Sequence, residues 1–128
     1  MIIQAQTKDE VDLCPIRQVL ARATGKWQVL IFFALCNGPL RFGQLKRAIG
    51  DISSRVLTEN VRSMERDGYL DRMVDPGPPT TVTYKLTDRG ANLAEVLKQL
   101  AMWANTNFAD ISASRVTFDA AIGVNSHE

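Results

Sequence analysis

The thirty residues from Arg41 to Leu70, RFGQLKRAIGDISSRVLTENVRSMERDGYL, constrain this chain more than any other stretch. Phe42, Leu45 and Ile49 fall at helical spacing with Arg41, Gln44 and Lys46 turned away, and Gly50-Asp51 interrupts the pattern. A second helix begins at Ser53 or Ser54, either of which can accept a hydrogen bond from a first-turn amide. At about 100° per residue, Val56, Leu57, Asn60, Val61 and Met64 share one arc, and Arg55, Thr58, Glu59, Arg62 and Arg66 share the opposite one. Asp67-Gly68 ends that helix. Two short helices joined by a tight link, the second divided into an apolar and a charged face, leave only a few folds open.

The flanking segments narrow the choice. Cys14-Pro15 predicts a helix start, with Ile16, Val19, Leu20 and Ala23 at helical spacing and Gly25 as the stop. Lys26 to Cys36 reads as a helix apolar nearly all round, which belongs in the centre of a fold or in a subunit interface. Asn37-Gly38-Pro39 stops it. After the Arg41–Leu70 stretch, Tyr69–Val74 and Thr81–Leu86 read as strands around the rigid turn Asp75-Pro76-Gly77-Pro78-Pro79. Thr87-Asp88 then caps a long helix in which Leu93, Val96, Leu97, Leu100, Trp103 and Ala104 repeat at three- and four-residue intervals. Residues 111–128 are expected either to add a short helix around Ser114 to Ala121 or to fray. Residues 1–13 carry no clear signal.

Composition excludes several classes. At 128 residues the chain is expected to form one domain, 1–128, with a core over 13–87 and a further helical region over 88–122. Net charge is only +1, but six bases stand against three acids between Arg41 and Arg66. A basic patch on a near-neutral protein is a footprint consistent with nucleic acid. No signal-peptide pattern opens the chain, and the longest apolar run, Val29 to Cys36, is far short of a bilayer span. The expectation is a cytoplasmic protein with no membrane partner. Cys14 and Cys36 make neither a disulfide framework nor a zinc site, and His127, the one histidine, is expected to sit idle in the tail. No catalytic set, metal cluster or phosphate loop is visible, so neither an enzyme nor a cofactor is expected.

The ordered pattern is that of a winged helix-turn-helix: α+β, mainly α, with a two-stranded wing and a long C-terminal helix. Such a fold lays the second helix of the pair in the major groove and holds phosphates with the elements beside it. Arg55, Thr58, Glu59 and Arg62 are the candidate readers; arginine can donate two bonds to guanine, and threonine can bond a base or touch a thymine methyl. Ser53, Ser54 and the helix-start amides suit phosphate, with Arg41, Lys46 and Arg47 at the flank. Thr80 and Thr81 are the candidates on the wing. The final helix, with Leu93, Val96, Leu97, Leu100, Trp103 and Phe108, carries more apolar surface than one small domain can cover and points to a homodimer. A two-fold dimer sets two recognition helices about 34 Å apart on a near-palindromic operator in double-stranded DNA.

The chain resembles the HxlR-type transcriptional regulators, a bacterial winged-helix family related to the MarR group. The resemblance rests on Cys14-Pro15, Gly25-Lys26-Trp27, Gly38-Pro39 with Arg41-Phe42 and Leu45, and Ile52-Ser53 with Arg55, Leu57 and Thr58. It continues through Asp67-Gly68, Pro78-Pro79, Val82, Tyr84, Leu86-Thr87, Gly90, Trp103, and Arg115 with Phe118-Asp119. It covers about residues 13–120 and implies a dimer acting on operator DNA. Relatives often carry Arg or Lys just after the double proline, where this chain has Thr80 and Thr81. No base lies between Arg72 and Lys85, so the wing lacks the charge that drives phosphate affinity. The resemblance also allows a thiol switch responding to oxidants or other electrophiles. Cys14 is its candidate, at a helix N-terminus where the dipole favours thiolate and Arg17 lies one turn on. Cys36, within an apolar helix, is expected to be inert packing. The competing reading is a winged helix that binds protein and not DNA. The basic outer face of residues 54–66 argues against it, because it has no apolar or aromatic anchor.

Overall fold

The computed structural model describes residues 13–23 and 25–126. In chain order it contains α1 (Leu13–Ala23), α2 (Lys26–Leu35), β1 (Leu40–Arg41), α3 (Phe42–Ile49), α4 (Ser54–Arg66), β2 (Leu70–Asp75), β3 (Thr81–Leu86) and α5 (Asp88–Ser126). The chain divides into two compact units, one ending at Glu95 and one beginning at Val96. The expectation for His127 lies outside the described residues.

The first unit has the helix order and the wing expected of it. Its core is built by Ile31, Phe32 and Leu35 of α2, Leu45 of α3, Leu57, Val61 and Met64 of α4, and Tyr69, Leu70 and Tyr84 of the wing. The Phe32 and Tyr69 rings meet edge to face, 5.3 Å between centroids, a geometry aromatic quadrupoles favour. Gln28 is the one polar residue among the buried described residues, and its Oε1 has no hydrogen-bond partner there.

Three details depart from the expectations. The sheet has three strands in the order β1-β3-β2, because Leu40 and Arg41 pair antiparallel with Tyr84 and Thr83. Cys36 caps the end of α2 and is half-buried; the helix stops at Leu35, where Asn37-Gly38 turns the chain at a Gly38 φ of 137°. The last helix neither breaks nor frays near residue 111 but runs 39 residues to Ser126, with no Gly or Pro between Ala91 and Ile122 to interrupt it. Among the described residues, no helix is long and apolar enough to cross a membrane.

A knot of hydrogen bonds fixes the wing to the helix before it. Gly68 takes φ 82°, open to glycine at little cost, and lets Gly68 N and Tyr69 N donate to Glu65 O and Met64 O. Thr87 Oγ1 donates to Gly68 O at 2.6 Å and accepts from Gly90 N at 3.1 Å, so one hydroxyl joins the end of α4 to the start of α5. Arg89 Nη1 adds a bond to Asp67 O at 3.0 Å. Gly90 lies so close to the Tyr69 carbonyl that a Cβ there would collide with it.

Candidate nucleic-acid interface

The site grows out of the division of α4 into two faces. Leu57, Val61 and Met64 are wholly buried, and Val56 and Asn60 flank them half-buried. Asn60 Nδ2 donates to Val56 O at 2.9 Å, so its amide is spent on its own helix. This anchored side leaves Arg55, Thr58, Glu59, Arg62 and Arg66 exposed on the other. Of the two candidate caps, Ser53 is the one used: its Oγ accepts from Val56 N at 3.1 Å. Its hydroxyl proton and that of Ser54, the first helical residue, remain available beside the open amides of the first turn, where the helix dipole favours an anion.

Arg55 and Glu59 are paired. Arg55 Nε donates to Glu59 Oε2 at 3.3 Å one helical turn on, with both side chains largely exposed. The pair biases the direction of the guanidinium and leaves its remaining N–H groups to donate elsewhere.

The link into α4 is equally defined. Gly50 takes φ 92° and donates its N–H to Lys46 O at 2.9 Å, closing α3. Lys46 and Arg47 sit in the last turn of α3, where the dipole welcomes cations; Lys46 is half-buried and Arg47 exposed. Ile52, buried, anchors the turn between the helices. Arg41 stands apart from this pair: its backbone belongs to β1, its N–H donates to Gln44 Oε1 at 2.9 Å to start α3, and its side chain is exposed.

On the wing, Thr80 Oγ1 donates to Pro76 O at 3.0 Å and Gly77 N donates to Asp75 Oδ1 at 3.1 Å, which closes the turn on itself. The Thr80 hydroxyl proton is therefore already committed. Thr81 begins β3 and is half-buried. Neither threonine replaces the missing base.

One residue that the linear pattern left unassigned, Arg72, joins the constellation. Leu70, Arg72 and Val74 share one face of the sheet, opposite Leu86, Tyr84 and Val82. That face carries the buried Leu70 and Tyr84, so Arg72 emerges beside the last turn of α4. There Arg62, Glu65, Arg66 and Arg72 line an open notch of about 480 Å³. The alternation from Leu70 to Arg72 was the available signal.

Elsewhere, Cys14 is exposed in the first turn of α1. On α5, Val96, Leu100, Trp103 and Phe108 are exposed, Leu93 is half-buried and Leu97 is buried.

Comparison with known proteins agrees with this geometry. The HxlR-like helix-turn-helix profile matches residues 23–112. The chain is 39% identical over 102 residues to the uncharacterized HTH-type transcriptional regulator YtfH of Escherichia coli, covering 80% of this chain and 81% of that one. Among solved structures, YtfH of Salmonella typhimurium superposes with a TM-score of 0.71 at 37% identity, over 79% of this chain and 90% of that one. The redox regulator HypR in its reduced form gives a TM-score of 0.72 at 30% identity, over 77% and 98%. This protein belongs to the HxlR-like helix-turn-helix family of transcriptional regulators.

Proposed function

We propose that the protein is a sequence-specific DNA-binding regulator that acts as a homodimer on a near-palindromic operator. One observation carries the reading: α4 is held to the core by three wholly buried residues and turns Arg55, Thr58, Glu59 and Arg62 outward together. Arg55, Thr58, Glu59 and Arg62 read base edges in the major groove; Ser53, Ser54, Lys46, Arg47 and Arg41 hold phosphates, and Thr80 and Thr81 lie against the backbone at the wing. The dimer uses the exposed Val96, Leu100, Trp103 and Phe108 of α5, because a monomer rarely leaves so many large apolar side chains in water. Leu93, half-buried, and Leu97, buried in the single chain, offer a partner less surface than these four. The region 13–87 is the DNA-binding core and 88–122 the dimerisation region.

The experiment is selection from a library of random duplexes with the full chain. Enrichment of an inverted repeat with half-sites about one helical turn apart is expected. No enrichment at low salt overturns the proposal.

A response to oxidants through Cys14 completes the reading. It is supported by the exposure of Cys14 and by the similarity to the redox regulator HypR. Diamide is expected to change operator affinity in the wild type and not in Cys14→Ser. Equal affinity before and after treatment of the wild type removes the switch.

A further inference from the structure

The geometry points to a second anion site at the opposite end of α4: Arg66 and Arg72, in the notch they share with Arg62, grip a backbone phosphate of the duplex and supply the charge that the tip of the wing lacks. This rests on the DNA-binding reading and adds to it a contact made by Arg66 and, from the sheet, by Arg72.

Charge and position together carry the argument. Three guanidinium groups and one carboxylate, Glu65, line the notch, and none of the three arginines has an ion-pair partner among the described residues. Guanidinium groups left unpaired in an open cleft are donors in search of an acceptor, and phosphate oxygens accept from them two at a time. The C-terminus of α4 contributes roughly half a negative charge, which a net charge of +2 from the four side chains outweighs.

The notch is continuous with the reading face, because Arg62 belongs to both. From Arg55 to Arg66 the helix advances about 16 Å, while the major groove is about 12 Å wide. With the first turns of α4 at the base edges, its last turn comes up against the backbone that bounds the groove. Arg72 reaches the same place from the strand. The bonds joining Thr87, Gly68 and Gly90 hold the root of the wing against the end of α4, so the fold sets where the backbones of Arg66 and Arg72 stand, and both side chains line the one notch. Residues 73–80 of the wing carry no base, which makes Arg72 the last cation before its tip.

The test uses the full chain, the duplex enriched by selection and a random duplex of equal length. Affinity is measured from 50 to 200 mM salt for wild type, Arg72→Gln, Arg66→Gln and Arg72→Lys. Phosphate ethylation interference on the enriched duplex accompanies it. Each glutamine variant is expected to lose about tenfold on both duplexes alike, and to flatten the salt dependence by about one counterion. Both are expected to lose the same interfering phosphate in each half-site. Arg72→Lys, which keeps the charge, is expected to retain most of the slope. Wild-type affinity and slope in both glutamine variants, with the wild type itself binding normally, overturns the notch and leaves the DNA reading standing. A loss confined to the enriched duplex overturns the phosphate assignment, and so does an Arg72→Gln variant that melts early beside an unaffected Arg66→Gln. Failure of the wild type to bind any duplex at 50 mM salt overturns the DNA reading and the notch together.

Discussion

Helices α4 and α5 use their apolar residues in opposite ways. In α4 they form one stripe, and the stripe is sealed: Leu57, Val61 and Met64 lie wholly inside the first unit. In α5 most of the large apolar side chains remain in water, with Trp103 57% and Phe108 58% exposed, joined by Val96, Leu100, Met102, Val116, Phe118 and Ile122. At about 100° per residue these residues point in nearly every direction around the helix axis. The contrast separates two tasks. The hydrophobic energy of α4 is spent within one chain, and what remains exposed on it is a row of charged and hydroxyl side chains. The hydrophobic energy of α5 is left unspent by a single chain and stays available for association.

Breaking each helix at its apolar residues should therefore give different failures. Leu57→Ala removes a wholly buried side chain from a packed core. It is expected to cost about 2–5 kcal/mol of unfolding free energy in urea titration, with DNA binding falling only as the fold does. The double change Leu100→Glu with Trp103→Glu is expected to leave the chain folded, since both residues are exposed in it. Sedimentation should move from dimer to monomer, and operator affinity should fall on the order of a hundredfold as the two half-sites cease to act as one. A dimer that persists at micromolar concentration would place the interface on other residues.

The outward face of α4 gives a smaller and more selective effect. Arg55→Ala is expected to weaken binding to the enriched operator by about 1–3 kcal/mol while random duplex is bound nearly as before. Lys46→Ala should weaken both alike, because a phosphate contact carries no sequence information. Equal losses on both duplexes for Arg55→Ala would make that arginine a backbone contact as well.

The same contrast explains how much of the fold is legible in the sequence. The two faces of α4 were legible because burial and helical period act together there, and every apolar residue on the inner arc is buried or half-buried. The cap at Thr87 and the wing were legible from turn chemistry and β-branched runs. Strand β1 was not, since two residues have no period and only their pairing with Tyr84 and Thr83 makes Leu40 and Arg41 a strand. Gln28 was not, because in an apolar helix a lone polar residue reads as the exposed one, yet it is only 5% exposed. Arg72 was hidden for another reason. The alternation puts Arg72 on the face of Leu70 and its charge reads correctly as exposed, but only the packing of the sheet brings that exposed side chain beside Arg62 and Arg66. The continuity of α5 was obscured because its apolar residues past Asp110 follow no single stripe. Leu93, Val96, Leu97, Leu100 and Trp103 repeat in sequence, but the fold separates them: Leu97 is buried and its neighbours Val96 and Leu100 are not.

The smallest expected effect sharpens the contrast most, because it acts on the outer face of α4 and leaves the core untouched. Arg55 and Glu59 form an exposed pair, 86% and 60% accessible, with the arginine N-terminal to the glutamate, the less favourable order along a helix. Such a pair contributes at most a few tenths of a kcal/mol to stability, about 0.3–0.5 at best. Glu59→Gln should therefore leave the urea midpoint nearly unchanged. On DNA two consequences of the change oppose each other. Removing a carboxylate from a surface that meets phosphates raises affinity for every duplex a few-fold and steepens its salt dependence. Releasing Arg55 from the oxygen that orients it lowers the advantage of the operator, because a guanidinium free to turn must be ordered again at each binding event. The expected result is tighter binding to random duplex with a smaller ratio of operator to random affinity, both measured at one salt concentration. A ratio that stays at its wild-type value while both affinities rise would reduce Glu59 to a repulsive charge and leave Arg55 to read without a guide.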